Sequence, residues 1–72
     1  MGCVIAIGPA VQVGGWALAG AEVRPAETDA QARQVWADLP TDVRLLLVSA
    51  DAARAVAGRP RPPHALLAVL PE

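Results

Sequence analysis

The chain has 72 residues, the size of one small domain, and 54% of them are hydrophobic while only 3% are aromatic. Six arginines, no lysine and seven acidic residues give a formal net charge of -1, so the chain lacks the broad positive field that binding to nucleic acid or to an anionic membrane surface requires. One cysteine and one histidine exclude an internal disulfide and the usual Cys/His zinc sites, and a lone thiol is typical of a reducing compartment such as the cytosol.

The N-terminal segment predicts a buried strand. Residues 3–7 form an unbroken apolar run rich in β-branched side chains, which is typical of a strand covered on both faces, and Gly8 and Pro9 close it. The run is too short to cross a membrane, and the basic region of a signal peptide does not precede it. We therefore expect no direct insertion into a membrane.

A glycine-containing helix is predicted next. It covers residues 9–19, is interrupted at Gly14 and Gly15, and ends at Gly20 in the left-handed conformation. Two glycines inside a helix cost about 1 kcal/mol each relative to alanine, so they need a structural reason. We expect them to let the helix backbone approach the sheet or a neighbour closely while Trp16 fills the adjacent space. Residues 21–24 then form a short strand.

The clearest helix pattern begins at Thr28. Thr28 and Gln31 are spaced as a capping box, and Asp29 suits the positive end of the helix dipole. Apolar residues at helical spacing form one stripe: Ala32, Val35, Trp36 and Leu39. Arg33 is predicted to point away from this stripe, and Pro40 ends the helix.

The rest of the chain predicts a strand, a helix and a strand. Residues 43–49 form a second apolar run, and Ser49 caps a short helix over residues 50–57 that Gly58 ends. The segment "RPRPPH" is a stiff loop because its prolines fix φ and remove hydrogen-bond donors. Residues 65–70 complete the pattern as a last buried strand.

This alternation predicts the fold class. Strand, helix, strand, helix, strand, helix and strand over residues 1–72 indicate a single α/β domain with a parallel sheet of about four strands and helices on both faces. The most continuous apolar runs belong at the centre and residues 21–24 at an edge. We therefore predict a small three-layer, flavodoxin-like (receiver-like) domain with strand order 2-1-3-4.

Ligands of such sheets bind beyond the carboxyl ends of the strands. The residues expected at these strand tips are Gly8 and Pro9, residues 25–27, residues 49–51, and Pro71 and Glu72. They contain no G-x-G-x-x-G fingerprint and lack the acid pattern of a phosphoacceptor receiver, and a chain without lysine cannot form a Walker loop. We expect no catalytic, cofactor-binding or metal-binding residues.

Single reactive side chains elsewhere have structural interpretations. Cys3 lies at the end of its strand opposite the tips and is interpreted as a small core residue. His64 is interpreted as a loop or strand-edge residue, and Ser49 as a helix cap. The PxxP pattern of residues 60–63 is either a docking ligand or a rigid turn.

Four motifs together resemble the V-ATPase F family, the small globular proteins of the central stalk of vacuolar and archaeal-type (V/A-type) rotary ATPases. They are "CVIAIG", "GWALAG", "VRLLLVSADAA" and a closing P-x-x-L-L-A-V-L-P pattern, and their order and spacing agree over nearly the whole chain. The residues that carry the first two motifs most clearly are Gly8, Gly15, Trp16, Leu18 and Gly20. The resemblance implies a non-catalytic protein without a cofactor.

The resemblance also implies a place in the assembly. Members of this family bind the central stalk, chiefly its long coiled-coil protein (the V-ATPase D family) and the neighbouring stalk proteins, in the cytoplasm at the periphery of the membrane. They usually continue into a C-terminal tail that affects ATP hydrolysis, and this sequence stops at Glu72 after the α/β domain. We expect docking through the globular part, without the regulatory action of that tail.

The exposed edge of the second strand is the expected contact surface for the partner. Its residues are Val23, Arg24, Pro25 and Glu27. An alternative function is a stand-alone pseudo-receiver or flavodoxin-like adaptor that binds a protein or a small anion. The isolated chain can also cover its thin core by forming a homodimer.

Overall fold

The computed structural model describes residues 3–70, in which strands and helices alternate. In chain order the elements are β1 (Cys3–Gly8), α1 (Ala10–Val13), a 3₁₀ helix (Gly14–Ala19), β2 (Glu22–Pro25), α2 (Asp29–Ala37), β3 (Val43–Val48), α3 (Ala50–Ala55) and β4 (Leu66–Val69). The predicted strands are all present, with small differences at their ends. The expected strand-tip residues Pro71 and Glu72 lie outside the described residues.

The four strands form one parallel sheet in the order β2-β1-β3-β4. This order confirms the predicted 2-1-3-4 arrangement, in which the two most continuous apolar runs lie at the centre. Parallel neighbours need crossover connections, and the helices between the strands provide them. The protein therefore has the small flavodoxin-like α/β fold that the sequence predicts.

The larger core lies between the sheet and the helices α2 and α3. The buried side chains that the central strands contribute are Ile5, Ile7, Leu46 and Val48. The predicted stripe of α2 packs on them, since Ala32 and Trp36 are buried and Val35 and Leu39 are half-buried against the same cluster. Alternate residues of a strand point to opposite faces, so this core uses one face of the sheet.

The smaller core lies on the opposite face. It contains the buried side chains of Ala6, Val13, Leu47 and Leu70. Both α1 and the 3₁₀ helix contact β2, and α1 also contacts β1. Helices therefore lie on both faces of the sheet, as predicted for a three-layer domain.

The structure contradicts the prediction that the last strand is buried. All four residues of β4 are exposed, and Leu66 keeps 71% and Val69 54% of its surface accessible. The physical reason is position, because β4 is an edge strand that pairs with β3, and the helices on both faces lie chiefly over β1 and β2. Only the flanking residues Ala65 and Leu70 are buried.

The predicted helix over residues 9–19 is divided at the glycines. The α-helical part ends at Val13, and Gly14 begins the 3₁₀ helix, which Gly20 ends at a φ of 93° as predicted. The expected close approach at Gly14 and Gly15 is wrong within the described structure. A Cβ atom at either position would meet no atom within 4 Å, because this segment turns them outward.

The close approach occurs instead at Gly8, where β1 ends. A Cβ atom there would lie 2.8 Å from the Cβ and 2.9 Å from the Oγ of Ser49, and the φ of Gly8 is +157°. A side chain cannot be placed at these distances without displacing β3 or the start of α3. Glycine at this position therefore allows the two central strands to end side by side.

The start of α2 is capped nearly as predicted. The hydroxyl of Thr28 accepts a hydrogen bond from the backbone N–H of Gln31 at 3.1 Å. The Gln31 side chain accepts from the backbone N–H of Glu27 at 2.7 Å, one residue before the position expected for a capping box. Both bonds satisfy donors near the helix start.

We expect Gly8→Ala to lower the free energy of unfolding by about 1 to 3 kcal/mol, because the added methyl group overlaps Ser49. Urea denaturation followed by circular dichroism measures the change. Gly14→Ala is the matched control: its φ of -56° is helical and the space around it is open, so alanine there is expected to be neutral or slightly stabilising. Equal losses in both variants would contradict this account of Gly8.

Candidate functional site

The carboxyl ends of β1, β2 and β3 meet at a small cleft of about 100 Å³. The backbone N–H of Ala26 donates to the carbonyl of Gly8 at 2.7 Å, and that of Ser49 donates to the carbonyl of Ile7 at 3.0 Å. The residues that line the cleft are Pro9, Ala26, Glu27, Thr28, Asp29, Ser49, Asp51 and Ala52. The predicted gathering of these strand tips is therefore confirmed for the described residues.

The α-helices α1, α2 and α3 begin at this edge, and side chains of the chain itself bind their first backbone donors. The carboxylate of Glu27 accepts from the backbone N–H of Ala10 at 2.8 Å at the start of α1. The hydroxyl of Thr28 caps α2, and the buried hydroxyl of Ser49 accepts from the backbone N–H of Ala52 at 3.2 Å and caps α3. At each helix start, a donor that could bind a phosphate is thus already occupied.

The charge of the cleft also opposes an anion. Three carboxylates line it, those of Glu27, Asp29 and Asp51, and no arginine of the described chain does. Asp51 pairs with Arg54 within α3. Within residues 3–70, His, Cys, Asp and Glu nowhere form a group of three that could hold a metal ion. At this edge of the sheet the helix starts are therefore capped, and the charged side chains that line the cleft are acidic.

Ser49 is the buried helix cap at this edge. We expect Ser49→Ala to lower the free energy of unfolding by about 1 to 2 kcal/mol, because it leaves a buried N–H of α3 without its acceptor. Thr28→Ala removes the corresponding cap at an exposed helix start, where water can replace the hydroxyl, so a smaller loss is expected. Chemical denaturation measures the free energy of unfolding of both variants. A larger loss in Thr28→Ala than in Ser49→Ala would contradict this expectation.

The predicted partner contacts lie at the edge of the sheet, as expected. Val23 and Arg24 are half-buried, whereas Pro25 and Glu27 are exposed. We call these four residues the β2 edge. Arg24 pairs with Glu22 at 2.5 Å and reaches the carbonyl of Asp38 at 3.5 Å, so its guanidinium group is positioned by contacts within the chain.

Large apolar side chains are exposed beside this edge. Val11 of α1 is 98% exposed, and Leu18 and Trp16 of the 3₁₀ helix are 95% and 38% exposed. Both α1 and the 3₁₀ helix contact β2, on the face of the sheet to which Val23 points, whereas Arg24 points to the opposite face and reaches the end of α2. Sequence reasoning did not identify Val11, although its position two residues before the buried Val13 places it on the opposite side of a helix.

The remaining residues of interest lie apart from the strand tips. Cys3 begins β1 at the opposite end of the strand and is partly buried against the larger core, as interpreted from the sequence. His64 is exposed in a turn before β4 with a φ of 68°, a conformation that histidine adopts more readily than most residues. The loop interpretation of His64 is therefore confirmed.

The helices are short. The longest in residues 3–70 is α2 with nine residues, so none of the described helices has the length or the apolar character to span a bilayer.

Comparison with known proteins found no family model and no curated protein that matches this chain.

Proposed function

We propose that the chain is a non-catalytic component of the central stalk of a proton-translocating V/A-type rotary ATPase, where it docks on the coiled-coil stalk protein. The observation that carries the proposal is the exposure of the "GWALAG" segment. This segment carries the resemblance to the V-ATPase F family, and it leaves Leu18 almost fully and Trp16 partly exposed to solvent. The flavodoxin-like fold supports the same assignment.

The shape of this segment suits a helical partner. Gly14 and Gly15 have open space around them, so the surface is shallow and a helix can approach the backbone closely. Covering a large apolar side chain that is otherwise exposed contributes about 1.5 to 3 kcal/mol. Val11 and Leu18 are nearly fully exposed and would gain the most. A rigid stalk helix can supply this cover with little loss of its own conformational entropy.

The β2 edge extends the proposed docking surface. Its strand pairs with β1 on one side, and an edge strand can accept further backbone contacts. Arg24 is oriented by Glu22, so it is prepared for a carboxylate on the partner. In this assignment the protein works in the cytoplasm at the membrane periphery as part of the complex, and it bears torque through contacts alone.

The alternative, a flavodoxin-like adaptor that takes up a small anion, requires a different surface. An anion at the strand tips would meet the carboxylates of Glu27, Asp29 and Asp51 and the capped helix starts. Thermal unfolding in the presence of FMN, nucleotides or acetyl phosphate separates the two functions. A stabilising ligand in this set would favour the adaptor.

Co-expression with the coiled-coil stalk protein of a V/A-type ATPase tests the proposal directly. We expect a complex that survives gel filtration, and we expect Leu18→Asp to weaken it by about tenfold or more because a carboxylate replaces a covered apolar side chain. Leu66→Asp places the same charge on the exposed β4 and is the control that should leave the affinity unchanged. Absence of a complex at micromolar concentrations would overturn the proposal.

Arg24 provides a separate test of the β2 edge. Arg24→Glu is expected to weaken the complex by about tenfold, because it reverses the charge offered to the partner. Arg44→Glu makes the same change in net charge at an exposed position of β3 and serves as the control. Isothermal titration calorimetry measures both affinities, with melting temperatures recorded to verify folding. An unchanged affinity of Arg24→Glu would remove this edge from the docking surface.

A further inference from the structure

The helical face formed by α2 and α3 carries a groove near the loops that lead into β3 and β4. One depression of about 330 Å³ lies between the end of α2 and the proline-rich loop after α3, and Arg33 lines it. An adjoining depression of about 290 Å³ extends along α3 as far as Leu67 of β4. The two share Trp36, Arg59 and Arg61, so they form one surface, which we call the arginine groove.

The charge of the arginine groove is uncompensated. The guanidinium groups of Arg33, Arg59 and Arg61 make no ion pair or hydrogen bond with another residue in the described part of the chain. No acidic residue of that part lines either depression. Three like charges near apolar walls repel one another, so a ligand with carboxylates would lower the electrostatic energy of the site.

The groove is held in shape before any ligand binds. The indole N–H of Trp36, which is buried, donates to the carbonyl of Pro60 at 2.9 Å and fastens the loop to α2. Prolines on both sides of Arg61 restrict the backbone of the loop further. The half-buried Arg33 is not directed fully away from the stripe of α2, as the sequence predicted, but lies beside this loop. The backbone positions of the arginines are therefore fixed before a ligand binds, which reduces the entropic cost of binding.

The apolar walls limit the kind of ligand that fits. Leu39, Pro60 and Pro62 line the first depression, and Val56 and Leu67 line the second. A nucleic acid would engage the arginines, but its backbone would leave these walls uncovered, and the net charge of -1 gives no long-range attraction for it. A protein segment with both carboxylates and aliphatic side chains satisfies both parts of the groove.

We propose that the arginine groove docks an acidic segment of a partner protein in which Asp or Glu residues are interspersed with Leu, Ile or Val. The carboxylates pair with Arg33, Arg59 and Arg61, whose planar guanidinium groups donate two parallel hydrogen bonds to a carboxylate. The aliphatic side chains pack on Leu39 and Leu67, with the edge of Trp36 at the base of the groove. This docking does not depend on the rotary-ATPase assignment, because it uses the α2 and α3 face rather than the β2 edge or the 3₁₀ helix.

Selection from a library of short random peptides displayed on phage tests the groove with the whole chain as bait. We expect the enriched peptides to combine acidic and aliphatic residues, and their affinity to fall as NaCl is raised. Arg61→Glu should weaken a synthetic copy of an enriched peptide by about tenfold or more, as measured by fluorescence polarisation. Arg44→Glu is the matched control, since it changes the net charge equally and lines neither depression, and it should have less than about a twofold effect.

The two tryptophans locate the peptide independently of any variant. In ¹⁵N-labelled protein the indole N–H signal of Trp36 should shift on titration, whereas that of Trp16, which lies in the 3₁₀ helix, should not. Enriched peptides without an acidic excess, equal binding to Arg61→Glu, or a shift of Trp16 alone would overturn the proposal. Light scattering that shows self-association abolished by Arg61→Glu would also overturn it, because a second copy of the chain would then be the occupant.

Discussion

Ser49 packs against Gly8 where the two central strands end, and it joins the sheet to α3. Its backbone N–H continues the sheet by donating to Ile7, its Cβ occupies the space that a side chain of Gly8 would need, and its hydroxyl begins α3 by accepting from Ala52. At the strand tips, where proteins of this fold class commonly hold a ligand, the chain's own side chains cap the starts of the helices beside a cleft of about 100 Å³.

The central part of the fold could be predicted because local signals and burial agree there. The strands β1 and β3 are covered on both faces, which requires continuous apolar runs, and the stripe of α2 has the spacing of a helix with one buried side. The caps Thr28 and Ser49 were also predictable, since a hydroxyl before a helix has one main structural use. The same apolar runs predicted the strand order, and the strand order in turn predicted that the carboxyl ends of the strands lie close together.

Other features depend on neighbours that are distant in sequence. The apolar run of β4 resembles that of a central strand, yet its side chains are exposed because the helices on the two faces lie chiefly over β1 and β2. Glycine has no side chain to indicate what it faces, so the close approach could not be assigned to Gly8 rather than to Gly14 and Gly15. The arginine groove joins α2 to a loop more than twenty residues later, and a net charge of -1 conceals this local concentration of one sign.

The outer edge of β4 is open to pairing with another strand. In the described part of the chain β4 pairs only with β3, and its four residues, Leu66–Val69, include neither a charged side chain nor a proline to discourage strand addition. Such a segment is a template on which further chains can assemble by backbone hydrogen bonding. The shortness of β4, four residues, limits how many backbone hydrogen bonds such an added strand can form, so this edge favours brief pairing over stable assembly.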